Sequence, residues 1–282
     1  MSINHPDTKR IAVTGAAGSL ARDIIPRLAD AGYSMVCVDR TPPAESFGQD
    51  WVLTEVADTG TLVEAFRGCG AVIHLAGIPL EDDWDRILSA NIDGTHSVLE
   101  AAHMAGVPRV ILASSIHAAG FTPVPPAGDF IPDNTPVRPN TLYGVSKAAV
   151  EALGSYYSDR FGMDVICLRI ASRIDRPRDV RMLSTWLSPD DAARLFTAAL
   201  TDSVKGFRIV WGVSANTRSY LSPDAGAALG YVPKDDAERY AGDLTGPAAP
   251  ASAAESDWDR QFIGGVFCSP RPPRQPSMHP ST

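Results

Sequence analysis

Thr14-Gly15-Ala16-Ala17-Gly18 stands between an apolar run, Arg10 to Thr14, and an amphipathic pattern, Ser19 to Ala31. A strand that turns on glycine straight into a helix opens a βαβ unit, and the turn gathers backbone N–H groups and the positive helix end at one point. Gly15 permits the turn and Gly18 lets the backbone approach a ligand. Ala21 keeps the third position small enough for the helix to pack closely on the strand. Ser19 and Leu20 lie beside that point, in the first helical turn. Pro26 is at odds with the same helix and predicts a bend or a lost hydrogen bond.

The alternation continues through most of the chain. Strand-like runs are expected at Ser34 to Asp39, near Trp51 to Thr54, at Ala71 to Leu75, Arg109 to Ser114 and Val165 to Ile170, with helices over Thr61 to Arg67, from about Asp83 to Ala105 and around Tyr143. Dense proline at Thr122 to Pro139 predicts a long, stiff surface loop. Beyond Ala171 the elements shorten. Ser188, Pro189 and Asp191 mark a helix start, Phe207 to Trp211 reads as another strand, and Ala241 to Ser256 is rich in Ala, Pro and Ser. This grammar predicts an α/β fold, a doubly wound parallel sheet (Rossmann fold) covered on both faces, with a small C-terminal substrate-binding cap. Residues 1–170 are expected to form the dinucleotide-binding part, 171–267 a substrate-binding region interleaved with it, and 268–282 a mobile tail.

Acidic residues outnumber basic ones, 33 to 25, for a net charge of −8, so no extended basic face is available for a nucleic acid or an anionic membrane. No apolar run approaches the length of a membrane span. Cys37, Cys69, Cys167 and Cys268 lack paired ligand spacing, which points to free thiols in a reducing cytoplasm and to no metal site. The expected partner is a small-molecule substrate, and the expected assembly a homo-oligomer.

Asp39 ends the second strand, where a carboxylate accepts from the adenosine ribose hydroxyls and repels a 2′-phosphate, so NAD is favoured over NADP; Arg40 beside it argues the other way. Glu55 and Val56 border the expected adenine position, and Leu75-Ala76-Gly77 ends the fourth strand, where such sheets bind ligands. Asn91 falls on the apolar stripe of its helix and must find hydrogen-bond partners, either as a structural amide or as a support for a lysine and a relay water. Tyr143 and Lys147, four residues apart, share one helix face. Using the phenol as a base near neutrality means lowering its pKa by about three units, roughly 4 kcal/mol, which an ammonium about 4 Å away can supply.

Gly15, Gly18, Asp39, His74-Leu75-Ala76-Gly77, Asn91, Ser114-Ser115 and Tyr143-x-x-x-Lys147 occur in the order found in extended short-chain dehydrogenases/reductases, which the chain resembles from Ile11 to at least Ile170. Arg181-Met182-Leu183-Ser184-Thr185-Trp186, Val210 to Asn216, and Gly264-Gly265 before Phe267 look more narrowly like uronate dehydrogenases. That resemblance implies NAD-dependent oxidation of the anomeric carbon of a hexuronate to an aldarolactone. It implies Tyr143 as base, Lys147 as the group that lowers its pKa and binds the nicotinamide ribose, and Ser115 as partner of the reacting oxygen. His117 and Ser172 match positions that contact the sugar, and Arg181 the arginine that grips its carboxylate. The chain departs from the pattern at Ile116, where the family has an asparagine, and at Pro79, where it has a serine. A sugar hydroxyl would there face an apolar wall, at a cost of about 1–3 kcal/mol if left unpaired.

Two other readings share these residues. A nucleotide-sugar epimerase or dehydratase uses the same tyrosine, lysine and glycine turn, but Ile116-His117 leaves no acid beside Ser115 for eliminating water. A protein that binds NAD without chemistry has no need of both Tyr143 and Lys147.

Overall fold

The computed structural model describes residues 7–201, 203 and 205–274; the end of the expected tail, 275–282, lies outside the described residues. Seven parallel strands form one sheet: β1 (Asp7–Thr14), β2 (Ser34–Asp39), β3 (Asp50–Leu53), β4 (Cys69–His74), β5 (Arg109–Ser115), β6 (Asp164–Ile170) and, from further along the chain, the strand Phe207–Gly212. Their spatial order is β3-β2-β1-β4-β5-β6 followed by Phe207–Gly212, so the direction of winding reverses between β1 and β4.

Each strand is apolar on both sides, as a sheet covered on both faces requires. Ile11, Val13, Ile73, Ile111, Ile166 and Leu168 face α1 (Ser19–Asp30) and the later helix Pro189–Thr201. Ala12, Val72, Val110, Leu112, Val165 and Cys167 face the opposite layer, made by α2 (Thr59–Phe66), the helix ending at Met104 and the helix that carries Tyr143. Ser188 caps Pro189–Thr201, accepting from Asp191 N at 2.9 Å.

Two expectations are corrected. The single helix expected from Asp83 to Ala105 is α3 (Trp84–Ile87), a π-helical turn (Leu88–Asp93) and α4 (Gly94–Met104), and Trp84 is 45% exposed, off the apolar stripe. The extra residue of the π turn puts Asn91 where its amide meets two neighbouring segments, the use to which such turns are commonly put. Pro26 lies inside α1, where its missing N–H leaves one helical hydrogen bond unmade, and the wholly buried Ile24, Ile25 and Leu28 on either side carry the helix past it. The proline-rich segment is not simply a surface loop, because Ile131, Asp133 and Thr135 are buried.

The cause is one side chain. Arg169, on β6 and 1% exposed, donates through Nε and Nη2 to both oxygens of Glu151 at 2.8 Å, and through Nη1 to the Asp133 and Thr135 carbonyls at 3.3 and 2.8 Å. Glu151 belongs to α5 (Leu142–Phe161) and also accepts from Ser114 Oγ at 2.6 Å. Asp133 in turn accepts from Trp211 N at 2.9 Å. Removing the guanidinium strands a buried carboxylate, so Arg169→Met should lower the unfolding free energy by about 3–5 kcal/mol. Urea titration measures this, and a loss below about 1 kcal/mol, the range of an exposed ion pair, would show the pair to be dispensable.

Candidate active site

The sheet opens where its winding reverses, and there the carboxyl ends of β1 and β4 face a cleft of about 610 Å³ lined by Gly15, Gly18, Asp39, Arg40, Glu55, Val56 and Leu75 to Gly77. It continues past Gly15, Gly18, Leu75 and Gly77 into a second cleft of about 470 Å³ that reaches Ser115, Tyr143, Lys147 and Arg181. Gly15 has φ +70°, and a Cβ there would come 2.5 Å from Ala76 N, so only glycine lets the first turn pass beneath the end of β4. No side chain caps α1 at Gly18, which leaves its first N–H groups for a ligand. Asp39 accepts from Ala17 N at 3.0 Å and Thr41 N at 2.9 Å, two bonds that hold its carboxylate at the cleft with lone pairs to spare. Arg40 is 62% exposed and 3.9 Å from Glu55. A two-part cleft, an uncapped helix end and a fixed carboxylate fit a dinucleotide.

Ser19 and Leu20 line the second cleft. The Ser19 hydroxyl accepts from Arg173 Nη2 at 2.8 Å, and Arg173 also pairs with Asp23, an anchoring of the glycine turn that no spacing in the sequence indicated. Asn91 Oδ1 accepts from Ile78 N at 2.7 Å, while Nδ2 donates to Ile78 O at 3.0 Å and Ser146 Oγ at 2.9 Å. Its bonds thus tie the segment following Gly77 to α5, and none of them goes to Lys147. His74, buried in β4, accepts from Thr14 Oγ1 and donates from Nε2 to Thr95, whose hydroxyl donates to Asn91 O at 2.6 Å.

The second cleft brings together residues that are distant in sequence. β5 delivers Ser115, whose hydroxyl accepts from His117 N at 3.2 Å and hydrogen-bonds the Tyr143 phenol. Tyr143 stands in the first turn of α5, with Thr141 capping Gly144 N at 2.9 Å and Glu81 accepting from Tyr143 N at 3.1 Å. One turn on, Lys147 donates to Ala113 O at 2.7 Å, and its Nζ lies 5.5 Å from the centre of the Tyr143 ring. The protein's own groups do not give the expected lowering of the phenol pKa. Burial pushes Tyr143 up to about 12 against the opposing Ser115 hydrogen bond, and burial pushes Lys147 down to about 8. Burial, with the nearby Arg181 charge, also holds His117 down to about 3, so its imidazole is neutral at ordinary pH.

Arg181 reaches the same cleft at 8% exposure. Its Nε and Nη2 donate to Ile263 O at 3.1 and 2.5 Å, and Nη1 donates to Ser172 Oγ at 3.4 Å. Asp259 is 4.0 Å away, too far for a tight ion pair. Ile116 and Pro79 line the cleft, but Ile116 is 2% exposed and packs with Ala119, Ile131, Trp211 and Ile263, so it is as much core as wall. Phe267, whose ring lies 4.5 Å from that of His117, and Asn140, which bonds His117, were missed as site residues. The flanking Gly264-Gly265 was the only local signal.

Among the described residues no helix is long and apolar enough to cross a membrane, and no group of His, Cys, Asp and Glu is arranged to hold a metal ion. The model of the NAD dependent epimerase/dehydratase family matches residues 11–174. A uronate dehydrogenase of Agrobacterium fabrum is 37% identical over 260 residues, 92% of this chain and 96% of that protein. The crystal structure of a uronate dehydrogenase variant from Agrobacterium tumefaciens complexed with NAD is 35% identical, with a TM-score of 0.84 over 94% of this chain and 99% of that one. A glucuronic acid dehydrogenase from Chromohalobacter salexigens is 35% identical, with a TM-score of 0.82 over 92% and 96%. The chain belongs to the NAD dependent epimerase/dehydratase family, and within it to the uronate dehydrogenases.

Proposed function

We propose that this protein oxidises the C1 hydroxyl of a hexuronate such as galacturonate or glucuronate, passing hydride to NAD and forming the aldarolactone. The observation that carries this reading is Arg181: a buried guanidinium in the same cleft as Tyr143 and Ser115, whose ion-pair partner among the described residues, Asp259, is 4.0 Å away. Its Nε and Nη2 are anchored on Ile263 O, which orients Nη1 and the remaining N–H groups for a substrate carboxylate. A cleft of about 470 Å³ with Phe267 in its wall favours a free monosaccharide over a nucleotide sugar.

With the carboxylate on Arg181, the C1 oxygen lies between Ser115 and Tyr143. Tyr143 takes the hydroxyl proton as the C1–H bond breaks and the C1=O bond forms, and Ser115 holds the oxygen in line. NAD, when bound, would supply the hydride acceptor. Lys147 would bind the nicotinamide ribose, and its charge on the helix face below opposes the burial that keeps Tyr143 protonated. Asp39 takes the adenosine ribose hydroxyls, and the N–H groups following Gly18 take the pyrophosphate. The same reading assigns 1–170 to the dinucleotide and 171–267 to the sugar, and places the protein in the cytoplasm as a homo-oligomer. Free thiols at Cys37, Cys167 and Cys268 and exposed Met104, Tyr156 and Phe161 on α4 and α5 support those last two assignments.

Tyr143→Phe should lower NAD reduction by about 10²–10⁴-fold while NAD affinity stays near that of the unsubstituted protein. Retained turnover in a uronate assay would remove the phenol from the mechanism. Arg181→Ala should cost about 2–5 kcal/mol in uronate binding, read as a rise in KM for uronates and not for neutral aldoses; equal effects on both would refute a carboxylate clamp. Because Tyr143 must lose its proton, kcat/KM should climb with pH and flatten above about 8, where Lys147 deprotonates, with no limb from His117 near neutrality. A profile that instead falls as pH rises from about 6 to 8 would exclude Tyr143 as the base.

A further inference from the structure

Gly264 and Gly265 each lack a side chain where a neighbour needs the space. A Cβ on Gly265, whose φ is +58°, would come 2.7 Å from Arg181 Cδ and Nε. One on Gly264 would come 2.2 Å from Asn140 Nδ2, one on Gly120 2.3 Å from Asn140 Cγ, and one on Gly144 3.3 Å from Asn140 Oδ1 and 2.4 Å from His117 O. Three chain segments therefore surrender their side chains around a single amide. Its orientation is set from behind: Cys268 Sγ donates to Gly120 O at 3.3 Å, and Asn140 Nδ2 donates to that sulfur at 3.3 Å. Asn140 Oδ1 is left facing His117 Nδ1 at 3.2 Å, and as an oxygen it can only accept.

We propose that Asn140 is a positioning residue that locks His117 in the tautomer with its proton on Nδ1, so that Nε2 presents a lone pair to the sugar and accepts from a substrate hydroxyl. Nε2 bonds no other described residue, and the ring is held between Tyr143, 5.9 Å away edge-on, and Phe267. His74 is fixed the opposite way: Thr95 uses its proton on Asn91 O, so His74 must donate from Nε2 and accept at Nδ1. The proposal rests on the uronate reading and moves hydroxyl recognition from position 116, where the apolar Ile116 offers no bond, to His117. A sugar with hydrogen or an ether oxygen at the matching position has no donor for Nε2 and is discriminated against.

Side-chain nitrogen NMR of full-length protein carrying labelled histidine reads the tautomer directly, with His117 identified by its loss in His117→Gln and His74 as internal reference. His117 should show the proton on Nδ1 and His74 on Nε2. Asn140→Leu should release His117 to the Nε2 form or a mixture, whereas Cys268→Ser, which keeps the bonding pattern, and Asn140→Asp, which loses the donor to Cys268 but keeps the oxygen that accepts from Nδ1, should hold it. An Nε2 proton on His117 in the unsubstituted protein overturns the proposal, whether or not the leucine variant folds. In kinetics, Asn140→Leu should cut kcat/KM for the preferred uronate about tenfold or more and that for its deoxy analogue far less; equal losses also overturn it. Absence of NAD reduction with any uronate would count against the substrate reading alone, and the spectra would still decide the role of Asn140.

Discussion

The bidentate pair between Arg169 and Glu151 is the interaction on which the geometry of this site depends. It joins β6 to α5, and through Ser114 it reaches the end of β5, so the elements carrying Tyr143, Lys147 and Ser115 share one buried anchor. Taking two charges out of water is costly, and the arrangement is tolerable only because every guanidinium edge has a partner and the carboxylate gains a hydroxyl. Its remaining donors draw the proline-rich segment inward by two carbonyls, and Arg169 also lies 5.3 Å from the Trp211 ring, whose Nε1 donates to Ile131 O at 3.1 Å. The segment is thus held by these carbonyl oxygens together with the N–H groups of Val124, Ile131 and Arg138, which donate to Gln261 O, Tyr220 O and Ala118 O.

Burial also governs the electrostatics. Burial keeps Tyr143 and His117 neutral and lowers Lys147 to about 8, so below that pH the cleft holds two buried cations, Lys147 and Arg181. Such a cleft is complementary to an anion, and a phenol kept neutral spares the protein an unpaired negative charge in a dry cavity.

Much was legible in residue spacing because it reflects local periodicity. Alternating apolar runs show the parallel sheet, the glycine turn marks its first crossover, and Asp39 and the Tyr143–Lys147 pair follow at strand and helix positions that backbone geometry dictates. The π turn at Leu88–Asp93 left no such trace, since one extra residue in a helical repeat does not alter its composition. Ile116 was legible as an apolar substitution in the cleft wall, but its membership in the cluster with Trp211 and Ile263 was not, because those residues lie far along the chain.

What the chain determines by itself is the order of its strands and helices and the residue types at their ends, for these follow from periodicity, glycine conformation and helix pitch within short windows. Only tertiary structure decides which of those ends meet. Arg181 enters the cleft because Ile263 O receives it and Gly265 leaves it room, and His117 is oriented by an amide caged by glycines from three segments. Contacts of that range depend on the closure of the whole fold, and the lone-pair direction of a single imidazole is among the last features it settles.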